Sequence, residues 1–132
     1  MDTFVINGIF WRVEIVDPDS PYLIDRTNQY RLATTDPNTR CIYLSNELSH
    51  GGRKQSMAER VLIHELGHCV IFSYDLFDDI HRMVKPEYWI EAEEWVCNFI
   101  ADYGMTIFSV AKTIYSNGAF HVTIQELEKL VA

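Results

Sequence analysis

Residues 60–72 read RVLIHELGHCVIF, with two histidines four apart and a glutamate directly after the first. In an α-helix, positions i and i+4 lie one turn apart on the same face, so His64 and His68 can aim two imidazoles at one point. Neutral imidazole suits zinc, and a catalytic zinc takes three protein ligands and keeps a fourth position for water. Glu65 is then adjacent to the first ligand, where its carboxylate can take a proton from that water. The flanks Val61, Leu62, Ile63, Leu66, Val70 and Ile71 are apolar, so the helix is expected to be buried. The alternative is a core helix that happens to contain two histidines. It would bury two imidazoles and a carboxylate without function, which is costly unless they are paired. The stretch therefore demands a fold that packs around this helix and delivers a third ligand to it.

The rest of the chain has room for one such fold. At 132 residues it has the size of a single domain, and 48% hydrophobic residues are enough for a core. The expected organisation is one α+β domain over 1–132, with 1–52 mainly strands and 53–132 mainly helices. Residues 10–16 (FWRVEIV) alternate like a strand, with Trp11, Val13 and Ile15 on one face. Residues 29–35 and 40–45 flank Asp36-Pro37-Asn38-Thr39 and read as a hairpin, giving a small antiparallel N-terminal sheet. Residues 49–52 (SHGG) interrupt before the helical half. Ser56-Met57-Ala58-Glu59 has the form of a capping box, opening a helix over about 57–73. Lys85-Pro86-Glu87 starts a second helix, to about residue 103. Gly104 ends or kinks it, a third helix reaches Tyr115, and Thr123-Ile124-Gln125-Glu126 caps a short last one.

Charge and cysteine content narrow the function classes. The formal net charge is −8. That is a poor footprint for nucleic acid, which rewards basic patches. Residues 75–102 carry eight acidic residues against Arg82 and Lys85, either a solvated face or carboxylates turned toward a metal. Cys41, Cys69 and Cys97 form an odd set without zinc-finger spacing and read as reduced, buried thiols. Cys69 turns about 100° from His68 and is taken as structural. With no signal-peptide pattern in MDTFVINGIFW and no membrane-length apolar run, the expected location is the cytoplasm.

The third ligand has to come from elsewhere. Ile71 and Tyr74 stand where a metzincin has its glycine and third histidine, and the inverted H-x-x-E-H order is absent. On the helix over 87–103, Glu91, Glu94, Trp95, Asn98 and Asp102 share one sector, whereas Glu93 lies nearly opposite Glu91 and is set aside. Geometry alone leaves both Glu94 and Glu91 open.

HELGH followed by E-x-x-C-N-F-I-A, Glu94 to Ala101, resembles the ImmA/IrrE-type zinc peptidases, whose second helix carries E-x-x-A-N-x-F-A. Glu94, Asn98 and Ala101 match that pattern. Cys97 replaces an alanine, and Ile100 stands where phenylalanine is usual. The size and element order are also similar to the compact gluzincins called minigluzincins. The resemblance, over about residues 40–102, implies a Zn2+ cofactor held by His64, His68 and Glu94, with Glu65 as general base. It further implies cleavage of a peptide bond in a protein substrate, such as a repressor, by a phage- or mobile-element-encoded enzyme. The competing reading is a zincin-scaffold binding module with little turnover, acting through a protein partner. A DNA-associated SprT-like peptidase is disfavoured by the charge. Neither direct nucleic-acid contact nor membrane association is expected.

Two roles stay open. The strand at 40–45 is either a cleft edge that holds substrate backbone or a core strand. Tyr74, Tyr88, Tyr103, His81 and His121 are all candidates to stabilise an oxyanion.

Overall fold

The computed structural model describes residues 2–49 and 55–117. The chain divides into two compact units, Met1–Asp102 and Tyr103–Ala132, and Arg26, Thr35, His64, Glu65, His68, Glu93 and Glu94 all belong to the first. The fold is α+β, with a four-stranded sheet followed by helices.

Strands β1 (Asp2–Ile6) and β2 (Ile9–Val16) form a hairpin paired from Asp2↔Val13 to Ile6↔Ile9. Asn7-Gly8 joins them with φ of 49° and 75°, the left-handed pair that a two-residue hairpin turn requires. Strand β1 was not expected, although its Asn-Gly turn is a strong hairpin signal. Strands β3 (Ala33–Asp36) and β4 (Cys41–Ser45) form the expected second hairpin around Asp36-Pro37-Asn38-Thr39. The sheet order is β1-β2-β4-β3, and β2 runs parallel to β4. The sheet is thus mixed rather than wholly antiparallel, because the 17–32 segment carries the chain across β4 before β3 begins.

This order assigns the strand roles. β4 is interior and buried on both faces. Ile42 packs with Trp11 and Cys69 on the helix side, while Cys41 and Tyr43 pack with Leu23 on the other. It is the core strand of the two alternatives, and the edge strand is β3.

Helix α1 (Gln55–Ser73) begins two residues before the expected start, and the Ser56 side chain of the capping box lies outside the described residues. Its far end is tied to the first hairpin. Trp11 Nε1 donates to Ser73 Oγ at 2.8 Å and Asn7 Nδ2 to the Ser73 carbonyl at 2.9 Å. A short helix α2 (Phe77–Met83), not expected from the sequence, supplies Ile80 to a cluster with Ile71 and Cys97. A 3-10 turn, Pro86–Tyr88, then leads into α3 (Trp89–Ser116). α3 passes through Gly104 unbroken, so the expected second and third helices are one. The short helix expected from Thr123 lies outside the described residues.

Gly67 sets the approach of α1 to α3. A Cβ there would stand 3.1 Å from Cys97 Sγ, so the glycine of HELGH is what lets Cys97 and its neighbours come alongside the two histidines. Among the described residues, no helix is long and apolar enough to cross a membrane.

Candidate metal centre

α1 presents His64 and His68 with their Nε2 atoms 3.2 Å apart. α3 brings Glu94 to them, with Oε2 at 2.9 Å from His64 Nε2 and Oε1 at 3.4 Å from His68 Nε2. Glu91 is exposed and does not join them. Three atoms bound at about 2.0–2.1 Å to a tetrahedral centre stand about 3.3 Å apart, so these spacings suit one small ion. His64, His68 and Glu94 form the one group of His, Cys, Asp or Glu among the described residues that could hold a metal ion. Two imidazoles and a carboxylate are a donor set that zinc accepts.

Glu65 occupies the expected place beside this group. It is buried, with Oε2 3.8 Å from His64 Nε2, while Oε1 accepts a hydrogen bond from Thr35 Oγ1 at 3.0 Å. Burial pushes the Glu65 carboxyl above the usual range, against the opposing pull of His68, His64 and Thr35. Thr35 belongs to edge strand β3, so the sheet and the helix meet at this carboxylate.

Glu93, set aside on helical phase, is the principal correction to the sequence reading. It is 2% exposed, and its Oε2 lies 2.6 Å from His68 Nδ1. Arg26 donates to the same carboxylate twice, Nη1 to Oε1 at 2.9 Å and Nη2 to Oε2 at 3.0 Å. Its Nη2 also reaches Glu94 Oε1 at 3.4 Å. Glu93 lies about 100° round the helix from Glu94, on the flank turned toward α1 rather than in the polar sector. No local pattern marks a carboxylate on that flank as tolerable, because the cation that neutralises it comes from 67 residues away. A carboxylate on a metal-ligating histidine orients the ring and raises its basicity.

The charges inside the group follow from these contacts. Burial disfavours a charge on His68, but bonding to Cys97, Glu93 and Glu94 outweighs it and carries the pKa to about 12. Burial likewise opposes ionisation of Glu94, and hydrogen bonds from His64 and His68 outweigh it, holding that carboxyl well below its usual range. His64 differs from its neighbour, since its buried Nδ1 has no hydrogen-bond partner among the described residues.

The group opens onto a cleft of about 860 Å3 whose lining includes Glu65, Glu94, Arg26 and all of β3. Tyr74, Tyr88 and His81 are not in that lining. His81 instead stacks on Trp89, with ring centres 3.9 Å apart. Tyr103 belongs to the second unit, and His121 lies outside the described residues. Cys69 is fully buried against Trp11 and Ile42, and burial raises its thiol to about 12, as suits a structural role. Comparison with protein-family models, with curated proteins and with solved structures finds no match to this chain.

Proposed function

We propose that this chain is a zinc-dependent peptidase, a zincin of the gluzincin kind related to the ImmA/IrrE-type enzymes, acting on a protein substrate. The observation that carries the reading is the convergence of His64, His68 and Glu94 beside the buried carboxylate of Glu65. His64 and His68 would hold the ion through Nε2, and Glu94 through its carboxylate. When bound, zinc would polarise both a water and the scissile carbonyl.

The chain's own residues supply the rest. Glu65 Oε2 faces the group and is placed to accept a proton from a water in the cleft, then pass it to the leaving amine. Thr35 keeps Oε1 engaged, so the reacting oxygen stays turned inward. Glu93 holds Nδ1 of His68 as a donor and leaves Nε2 for the ion. β3, the edge strand beside the cleft, can take an extended peptide as an added strand. A repressor as substrate, and a phage or mobile-element setting in the cytoplasm, belong to the same proposal through the family resemblance.

The test is Glu65→Gln, read on zinc-loaded protein against a proteome-derived peptide library by mass spectrometry. The variant is expected to keep zinc and lose cleavage by at least about 10²-fold, the usual scale for a general base. Equal cleavage by both proteins would remove Glu65 from the mechanism. A Glu65→Gln variant that keeps the full biological effect would favour the partner-binding module instead.

A further inference from the structure

We infer that Arg26 is a positioning residue for this centre, acting through Glu93 on the ring of His68. The inference rests on the metal-site reading above and deepens it.

The geometry is a relay across three side chains. The guanidinium meets Glu93 as a two-pronged fork, at 2.9 and 3.0 Å, which holds the plane of the carboxylate as well as its place. Of the two carboxylate oxygens, Oε2 is shared, taking Arg26 Nη2 and lying 2.6 Å from His68 Nδ1. Rotating the fork therefore swings the atom that holds the imidazole. Glu93 is 2% exposed, so losing a partner leaves a buried carboxylate short of a hydrogen bond. His64 has no equivalent support at Nδ1 among the described residues, so of the two rings only His68 is held from that side.

Arg26 is itself held. The preceding residue, Asp25, accepts from Thr27 N at 2.8 Å, Gln29 N at 3.1 Å and Arg31 Nε at 2.6 Å. Ile24 bridges to Tyr30, and Leu23 is fully buried under Cys41 and Tyr43. The metal-proximal end of α3 is thus organised by a segment of the sheet half.

Zinc affinity, measured by competition with a chromophoric chelator, separates this role from a plain fold staple. Arg26→Met and Glu93→Gln are each expected to weaken zinc by about 10–100-fold, the scale of a lost partner to a metal-ligating histidine. If the two act as one relay, the double variant is no more than about threefold worse than the poorer single variant. Arg26→Lys keeps the charge but not the fork, and is expected to lose at least about tenfold as well. Zinc affinity within about threefold of wild type in Arg26→Lys, or losses that multiply in the double variant, would overturn the inference. A second readout needs no metal. In zinc-free, ring-15N-labelled protein the His68 Nδ1 proton is expected far downfield, and displaced or lost in Arg26→Lys and Glu93→Gln alike. An unchanged resonance in Arg26→Lys would also overturn it. Wild type that takes up no zinc would contradict the peptidase reading, leaving the resonance to decide the role of Arg26.

Discussion

His68 Nδ1 lies 2.6 Å from Glu93 Oε2, and both side chains are buried. Helical phase sends Glu93 away from Glu91, and a carboxylate there looks like an error in the core until Arg26 is in place. Three residues from two halves of the chain thus form one charged unit around the second histidine. Its consequences reach the pH response, the packing and the chemistry of the centre.

The pH dependence of the zinc-free protein follows from the signs. Glu93 is lowered, with bonding to His68 and Arg26 outweighing burial, and Glu94 is lowered too. Their stabilisation is present above about pH 4.3 and is lost as pH falls below it. His68 is raised to about 12, so its stabilisation is complete below about pH 6.5 and fades as pH climbs toward 12. Glu65, raised by burial, adds to the loss on the alkaline side. Thermal unfolding in chelator is therefore expected to show greatest stability at weakly acidic pH, near about pH 5. A midpoint that rises steadily from pH 5 to 9 would contradict the charge assignment.

On the proposed zinc site, loading displaces a proton from His68, whose pKa is raised in the zinc-free protein. At pH 7 the titration is expected to release at least one proton, with affinity falling about tenfold per pH unit on acidification for each proton displaced. Calorimetry in two buffers of different ionisation enthalpy counts those protons. Zero release would contradict a protonated His68 in the zinc-free state.

Thr35 governs Glu65 from the edge of the sheet. Thr35→Val removes a hydrogen bond that lowers the Glu65 carboxyl, so its pKa rises further and the acid limb of the pH–rate profile moves to higher pH. Activity at neutral pH is expected to drop about tenfold, on the scale of a misplaced general base, while zinc affinity holds. An acid limb that stays where it is would detach Thr35 from catalysis.

Gly67 is expected to resist alanine. The new methyl would stand 3.1 Å from Cys97 Sγ, so crowding of about 1–3 kcal/mol opposes a helix-propensity gain of about 1 kcal/mol. Denaturant unfolding should show Gly67→Ala as destabilising in the native background and stabilising once Cys97→Ala has removed the sulfur. Equal effects in both backgrounds would mean that Cys97 does not limit the approach of α1 to α3.

Much of the centre was legible because it is local. His64, Glu65 and His68 follow from spacing on one helix, and Glu94 from the stripe and motif on another. The β3–β4 hairpin announces itself in Asp36-Pro37-Asn38-Thr39. What escaped was non-local. The parallel pairing of β2 with β4 depends on a crossover that no window of sequence encodes. The burial of Glu93 depends on Arg26, 67 residues upstream. Gly104 looks like a helix end, yet the helical bonding of α3 carries through it. Helix α2 is only seven residues long, too short for helical periodicity to stand out.

The central claim is that His64, His68 and Glu94 hold zinc, and elemental analysis tests it most directly. Protein purified without chelator is compared with its Glu94→Gln and Glu91→Gln variants. Wild type and Glu91→Gln are expected to carry about one zinc per chain, and Glu94→Gln less than about a tenth of that, since a three-ligand catalytic site loses one of its ligands. Metal-free wild type, or full zinc in Glu94→Gln, would contradict the account.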